Sequence, residues 1–168
     1  DMHMLPGNNS SASAGGVVGY LSSQIKNCSN NADVTIDSRI KNFYFGGVSG
    51  YTNITKTPEN CNNYGDITID AGELEDKSNQ SNVIYFGGVF AHVQKCDLNI
   101  TGTVGFVNEG DLKLIGGSTV GTKYIGGIIG YAKAAGGTFS LRGSVELPFG
   151  VNRGSITAEN IVGLSYVA

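Results

Sequence analysis

The chain has 168 residues, of which 15% are charged, and 11 Lys and Arg against 14 Asp and Glu leave it slightly acidic. With no cluster of Lys or Arg, it offers no surface for neutralising phosphates, which excludes nucleic acid as a partner, and no electrostatic anchor for an anionic membrane. No run approaches the roughly 18 apolar residues of a spanning helix, so no direct membrane insertion is expected; the 26 Gly follow no Gly-X-Y period, and 40% hydrophobic residues suffice for a core.

In chain order, the first segment is polar. Asp1 to Ser13 carries both Met residues and reads as a flexible lead-in, or as the remnant of a processing or cloning step, ahead of a repeat domain over residues 14–168. The repeat then declares itself. Ala14-Gly15-Gly16-Val17-Val18-Gly19-Tyr20 returns as Phe45-Gly46-Gly47-Val48-Ser49-Gly50-Tyr51, as Phe86-Gly87-Gly88-Val89-Phe90-Ala91-His92 and as Ile125-Gly126-Gly127-Ile128-Ile129-Gly130-Tyr131. A worn fifth copy is read at Ile161-Val162-Gly163-Leu164, so the repeats start near 14, 45, 86, 125 and 161. Periods of this length belong to stacked or radial repeat folds.

Between these copies a second motif recurs as Asn30-Asn31-Ala32-Asp33, Asn63-Tyr64-Gly65-Asp66, Asn108-Glu109-Gly110-Asp111 and Asn152-Arg153-Gly154-Ser155, each followed by alternating apolar and polar residues. That pattern is a turn feeding a half-buried strand. No stretch shows the helical period, and the class is all-β. Two motifs in fixed order at variable spacing predict a parallel β-solenoid of about four to five coils, whose length differences bulge out as loops. A β-propeller-like or antiparallel repeat is the alternative.

The paired motifs resemble the GLUG-type repeat of bacterial secreted and cell-surface proteins. The resemblance covers about Ala14 to Ala168 and implies a right-handed parallel β-solenoid in an extracellular or cell-surface setting; separately, the incomplete coil at Ile161–Ala168 is expected to continue in a longer chain or to serve as the cap. It implies no reaction.

Stacking turns each motif position into a column. Tyr20, Tyr51, His92 and Tyr131 form the candidate binding column, because a regular row of aromatic rings with phenolic hydroxyls suits carbohydrate or a host surface protein. Alternation places Val18, Ser49, Phe90 and Ile129 on that same outward face. The small column Gly19, Gly50, Ala91 and Gly130 would admit another sheet or a bulky partner. Phe43, Tyr44 and Phe45, with Ile84, Tyr85, Phe86, Tyr124 and Ile125, are assigned to the core or its edge.

Asp33, Asp66 and Asp111 form an acidic column. Calcium is the weaker reading and capping of each residue's own turn the stronger one, so no metal and no cofactor are expected. Thr35, Thr68, Lys113 and Thr157 fall outside, with Lys113 breaking any flat threonine array. Cys28 and Cys61 share a column, and Cys96 fits it less well; thiols behaving as small hydrophobes are expected. Acids repeated in every coil argue for structure, because a catalytic group should be singular. The expected function is therefore a non-catalytic interaction module, adhesin-like, with a polysaccharide lyase or hydrolase as the alternative.

Overall fold

The computed structural model describes residues 2–4, 11–38, 40–54, 57–72, 83–94, 98–99, 105–116, 121–133, 141–142, 150–161 and 165–167, and every regular element among them is a strand. A leading strand, β1 (Met2–Met4), lies within the stretch read as a lead-in. The first coil then runs through β2 (Ser11–Gly15), β3 (Val18–Leu21), β4 (Lys26–Asn30) and β5 (Val34–Ser38). The second repeats this as β6 (Asn42–Gly46), β7 (Ser49–Asn53), β8 (Glu59–Asn63) and β9 (Ile67–Asp70). The third holds β10 (Val83–Gly87), β11 (Phe90–Gln94), a short β12 (Leu98–Asn99), β13 (Phe106–Asn108) and β14 (Leu112–Ile115). The fourth holds β15 (Lys123–Gly126), β16 (Ile129–Lys133), β17 (Leu141–Arg142), β18 (Gly150–Asn152) and β19 (Ile156–Glu159), and β20 (Ser165–Val167) follows.

Equivalent strands stack into four sheets: β2, β6, β10, β15 and β20 in the first; β3, β7, β11 and β16 in the second; β4, β8, β13 and β18 in the third; β1, β5, β9, β14 and β19 in the fourth. Every pairing among the described strands is parallel. The chain is a parallel β-solenoid of about four coils. Its register follows the motifs, with Gly15, Gly46, Gly87 and Gly126 in one column and Val34, Ile67, Leu112 and Ile156 in another. The fifth rung corrects the sequence reading. Tyr166 and Val167 pair with Tyr124 and Ile125, so the fifth copy aligns six residues later than the glycine-based alignment near Ile161. What the rung preserves is the alternation of Tyr with an aliphatic residue.

Two apolar clusters fill the coils. Ile36, Phe43, Phe45, Ile67, Ile69, Ile84, Phe86, Leu112 and Leu114 lie between the first and fourth sheets. Val48, Cys61, Val89, Phe90, Val93 and Phe106 lie between the second and third. The joints between the lobes are made by the two motifs. The Gly-Gly pair bends the chain from the first sheet into the second, and Asn-x-Gly-Asp carries it from the third into the fourth.

Across the waist of the coil these motifs touch. A Cβ on Gly16, Gly47 or Gly88 would lie 2.7, 2.5 or 2.6 Å from Cγ of Asn30, Asn63 or Asn108, so the second glycine is small because the asparagine fills its side-chain space. The first glycine has a different reason. A Cβ on Gly46 or Gly87 would strike the carbonyl three residues ahead, which the bend folds back over it.

The asparagines form a buried amide ladder along the solenoid. Nδ2 of Asn30 donates to Oδ1 of Asn63 (2.8 Å), Asn63 to Asn108 (2.7 Å) and Asn108 to Asn152 (2.7 Å). Each Nδ2 also donates to the carbonyl two residues ahead, at Ala32, Gly65, Gly110 or Gly154. Both amide protons are thus satisfied at 0% exposure for Asn63 and Asn108, which is the condition under which buried polar groups are tolerated.

Two substitutions test the waist in urea melts. Gly47→Ala should lose about 3 kcal/mol or more, because the added methyl meets both Asn63 and the Gly88 carbonyl. Asn63→Leu keeps the volume but strands the Gly65 carbonyl and both neighbouring amides, and should cost about 2–4 kcal/mol.

Candidate functional site

The candidate column forms as its spacing predicts. Tyr20, Tyr51, His92 and Tyr131 are in register along the second sheet. Their surroundings differ from expectation in two respects.

First, Val18, Ser49, Phe90 and Ile129 do not share the outward face with the tyrosines. Phe90 and Ser49 are buried, and Phe90 packs edge-on against Phe106 with ring centroids 5.0 Å apart. The amides of Val48 and Ser49 both donate to the Val89 carbonyl, and those of Val89 and Phe90 both donate to Ile128. Two amides on one acceptor mark an irregular step at the start of each second-sheet strand, and that step breaks the strict alternation assumed from sequence.

Second, Tyr44, Tyr85 and Tyr124 are not core residues. Their in-register neighbours Phe43, Phe45, Ile84, Phe86 and Ile125 point inward and are buried, so the tyrosines emerge on the outer face of the first sheet. The bend makes this exterior concave, and the two aromatic columns meet inside it. Tyr44 stacks on Tyr85 at 4.7 Å and 3°, and Tyr85 on Tyr124 at 5.2 Å and 3°. Across the corner, Tyr44 meets Tyr51 edge-on at 5.5 Å and Tyr124 meets Tyr131 at 4.8 Å. Stacking of this kind adds about 0.5–1.5 kcal/mol per pair beyond burial.

The small column makes the meeting possible. A Cβ on Gly50 would strike the Ala14 carbonyl, and one on Gly130 would lie 2.5 Å from the Phe86 carbonyl. The space left by these residues is filled by the backbone of the first sheet.

Ring faces in the middle of the corner are therefore covered by other rings. Of the described corner rings Tyr20 is the most exposed: it stacks on Tyr51 at 5.4 Å and 6° and is 56% exposed. Past the rings, Asn53, Gln94 and Lys133 form the next outward column, and the Tyr51 hydroxyl donates to Oε1 of Gln94. Burial, reinforced by neighbouring phenols, holds the Tyr85 hydroxyl protonated up to about 12 and raises Tyr44 and Tyr51 as well. Tyr44, Tyr51 and Tyr85 therefore serve as neutral hydroxyl donors.

His92 is its most unusual member. It stands where the other coils carry Tyr, is 7% exposed, and neither Nδ1 nor Nε2 has a hydrogen-bond partner. Tyr44 and Tyr85 stack on its ring, while Tyr51 and Tyr131 close the sides. Burial, with a smaller contribution from Lys133, lowers its pKa from 6.5 to about 4.

The acidic column is a set of caps between coils. Asp33 Oδ1 accepts the amide of Asp66 (2.9 Å), Asp66 that of Asp111 (2.8 Å) and Asp111 that of Ser155 (2.7 Å). Each carboxylate caps the turn of the following coil, which corrects the expectation that it caps its own. The Ser155 amide and hydroxyl hold the Asp111 carboxyl below its usual value. Among the described residues no group of three or more His, Cys, Asp or Glu is placed to hold a metal ion. Lys113, which breaks the threonine column, pairs with Glu159 at 2.9 Å.

Cys28 and Cys61 share a column, as the spacing predicts, and both are free thiols. Cys96 lies outside the described residues. The sequence also gave no warning of Lys123, fully buried in register with Ile84, whose Nζ donates to the Gly121 carbonyl at 3.1 Å and whose pKa burial lowers.

No family model, curated protein or solved structure matches the chain.

The His92 site sets a pH dependence of stability. A base whose folded pKa lies below its unfolded one contributes fully above about 6.5; the contribution is lost as pH falls towards about 4, where the unfolded state alone binds the proton. Stability should drop by about 3 kcal/mol across that window and level off below it. His92→Tyr, which copies the other coils, should remove this part of the acid sensitivity; an unchanged profile in urea melts at pH 7, 5.5 and 4 (about half-unit control, roughly constant ionic strength) would contradict the assignment.

Proposed function

We propose that the chain is a non-catalytic structural and interaction module of a secreted or cell-surface bacterial protein, with the solenoid as a rigid spacer and the aromatic corner as its adhesive face. The observation that carries this reading is the corner itself. Two in-register columns of Tyr and His fill a concave strip along the outside of the coils, flanked by Asn53, Gln94 and Lys133. The resemblance of the two motifs to a repeat of bacterial surface proteins supports the location.

The favoured occupant is a glycan. Hydroxyl edges and amide side chains bond a sugar's hydroxyls, and the exposed ring of Tyr20 offers the stacking position that the inner rings lack. A host surface protein would use the same strip. Catalysis finds less support, because hydrolysis or elimination on a polysaccharide needs acids set across a groove. Here the repeated carboxylates run one per coil, each bonded to its neighbour's amide.

Glycan-array retention of wild type, Tyr20→Ala and Tyr51→Ala/Tyr131→Ala tests the reading. Tyr20→Ala should lose at least about tenfold in affinity, equivalent to 1.4 kcal/mol, while costing only about 1 kcal/mol of stability. Undiminished specific retention by both variants would remove the corner as the recognition face. Turnover of a screened polysaccharide, lost on changing a single unrepeated acid, would replace this reading with an enzymatic one.

A further inference from the structure

We propose that Cys28 and Cys61 are the two halves of an inter-coil disulfide that staples the first coil to the second. The inference rests on strand register and is independent of the location and ligand argued above. Pairing of β4 with β8 sets Cys28 beside Cys61, with Lys26 opposite Glu59 and Ser29 opposite Asn62. Adjacent parallel strands lie about 4.8 Å apart. That separation falls within the roughly 4.4–6.8 Å that disulfide-linked Cα atoms span, and reaching the usual Cβ separation of about 3.8 Å takes about 1 Å of closure.

Each strand carries the same local distortion, and it aims both sulfurs alike. Asn27 and Asn60, immediately before the cysteines, occupy the left-handed region with φ of 54° and 49°. Their side chains tie the two distortions together, Nδ2 of Asn60 donating to Oδ1 of Asn27 at 2.9 Å. Beyond this step each thiol donates to the carbonyl two residues back, Cys28 to Lys26 and Cys61 to Glu59, both at 3.4 Å. Thiols are weak donors, so the sulfurs can leave these carbonyls and turn towards each other at small cost. The Lys26–Glu59 ion pair at 2.8 Å holds the strands in register from the solvent side.

The two thiols differ in access, and the difference orders the chemistry. Cys28 is half-buried at the edge of the second apolar cluster, whereas Cys61 is fully buried within it, where burial pushes its pKa to about 12. With glutathione disulfide as oxidant, the Cys28 thiolate attacks one of its sulfurs, forming a mixed disulfide and releasing one glutathione thiolate. Cys61 then attacks the Cys28 sulfur as its proton passes to the departing glutathione thiolate, which forms the Cys28–Cys61 bond and releases the second glutathione. Two protein thiols are oxidised by two electrons, and one glutathione disulfide is reduced to two glutathiones.

The test is peptide mapping of the folded full chain after incubation with glutathione disulfide and blocking of residual thiols with N-ethylmaleimide. Trypsin separates the two cysteines at Arg39, Lys41 and Lys56. The expected product is one cross-linked pair carrying Cys28 and Cys61, two hydrogens lighter than the separate thiols and formed equally in Cys96→Ser. The oxidised chain should melt about 5–10 °C higher, with the gain abolished by reductant. In Cys61→Ala, a glutathione adduct should accumulate on Cys28. A persistent glutathione adduct on Cys28 in wild type, with Cys61 blocked only after unfolding, would overturn the proposal. So would a cross-link in which Cys96 replaces either partner.

Discussion

The asparagine ladder at the waist is the constraint on which the other features depend. A coil of this size cannot be filled by apolar side chains from one side only, and the chain divides its interior into two lobes joined where Asn63 meets Gly47. An amide with two protons and one carbonyl oxygen is the group that suits this place. It bonds upward to the next amide, across to its own turn, and still accepts from the coil below. Leucine has the volume without the bonds, and aspartate would set acceptor against acceptor. The ladder therefore fixes two residue types at once, in motifs about sixteen residues apart in the second coil.

The aromatic corner follows from the same bend. A glycine pair that lets the chain turn sharply around the asparagine also folds the outer faces of the first and second sheets towards each other. Side chains that alternation sends outward from Tyr44 and Tyr51 then converge instead of diverging. The corner is in effect a second, external core, built from residues whose hydroxyls keep it compatible with water. Its ladder geometry also limits what it can bind, since rings stacked at 3° expose edges and hydroxyls rather than faces. Recognition by ring stacking is favoured at the end of a column, and Tyr20 occupies the exposed end of one.

Much of this was legible in the sequence. Repeat spacing and strand-turn alternation gave the all-β class, the parallel stacking and the candidate column. The columns of Val34, Thr35 and Cys28 followed from the spacing within each motif. What was hidden depends on the direction of individual side chains at irregular positions. Phe90 reads as outward by alternation, yet the doubled hydrogen bonds on Val89 and Ile128 turn it into the core. Tyr44 sits between two phenylalanines and reads as one more core aromatic, although period two alone places it on the opposite face from both. His92 and Lys123 could be aligned with Tyr51 and Ile84, but no pattern in one sequence tells whether a polar residue in such a column is solvated or enclosed.

Residues of the turn motif answer to coils other than their own. A Cβ on Gly65 would strike the Ala32 carbonyl, one on Gly110 the Gly65 carbonyl, and one on Gly154 the Gly110 carbonyl. The turn glycine is therefore imposed by the coil before it. In the first of the described turns the corresponding residue is Ala32. The aspartate works in the opposite direction, since its carboxylate caps the coil after it. In the last of the described turns Ser155 takes the aspartate's place and gives its amide to Asp111. A residue in such a fold has its identity set by a neighbour some 33 to 45 positions away, and reading motifs along the chain misses that dependence unless the coils are first laid one upon another.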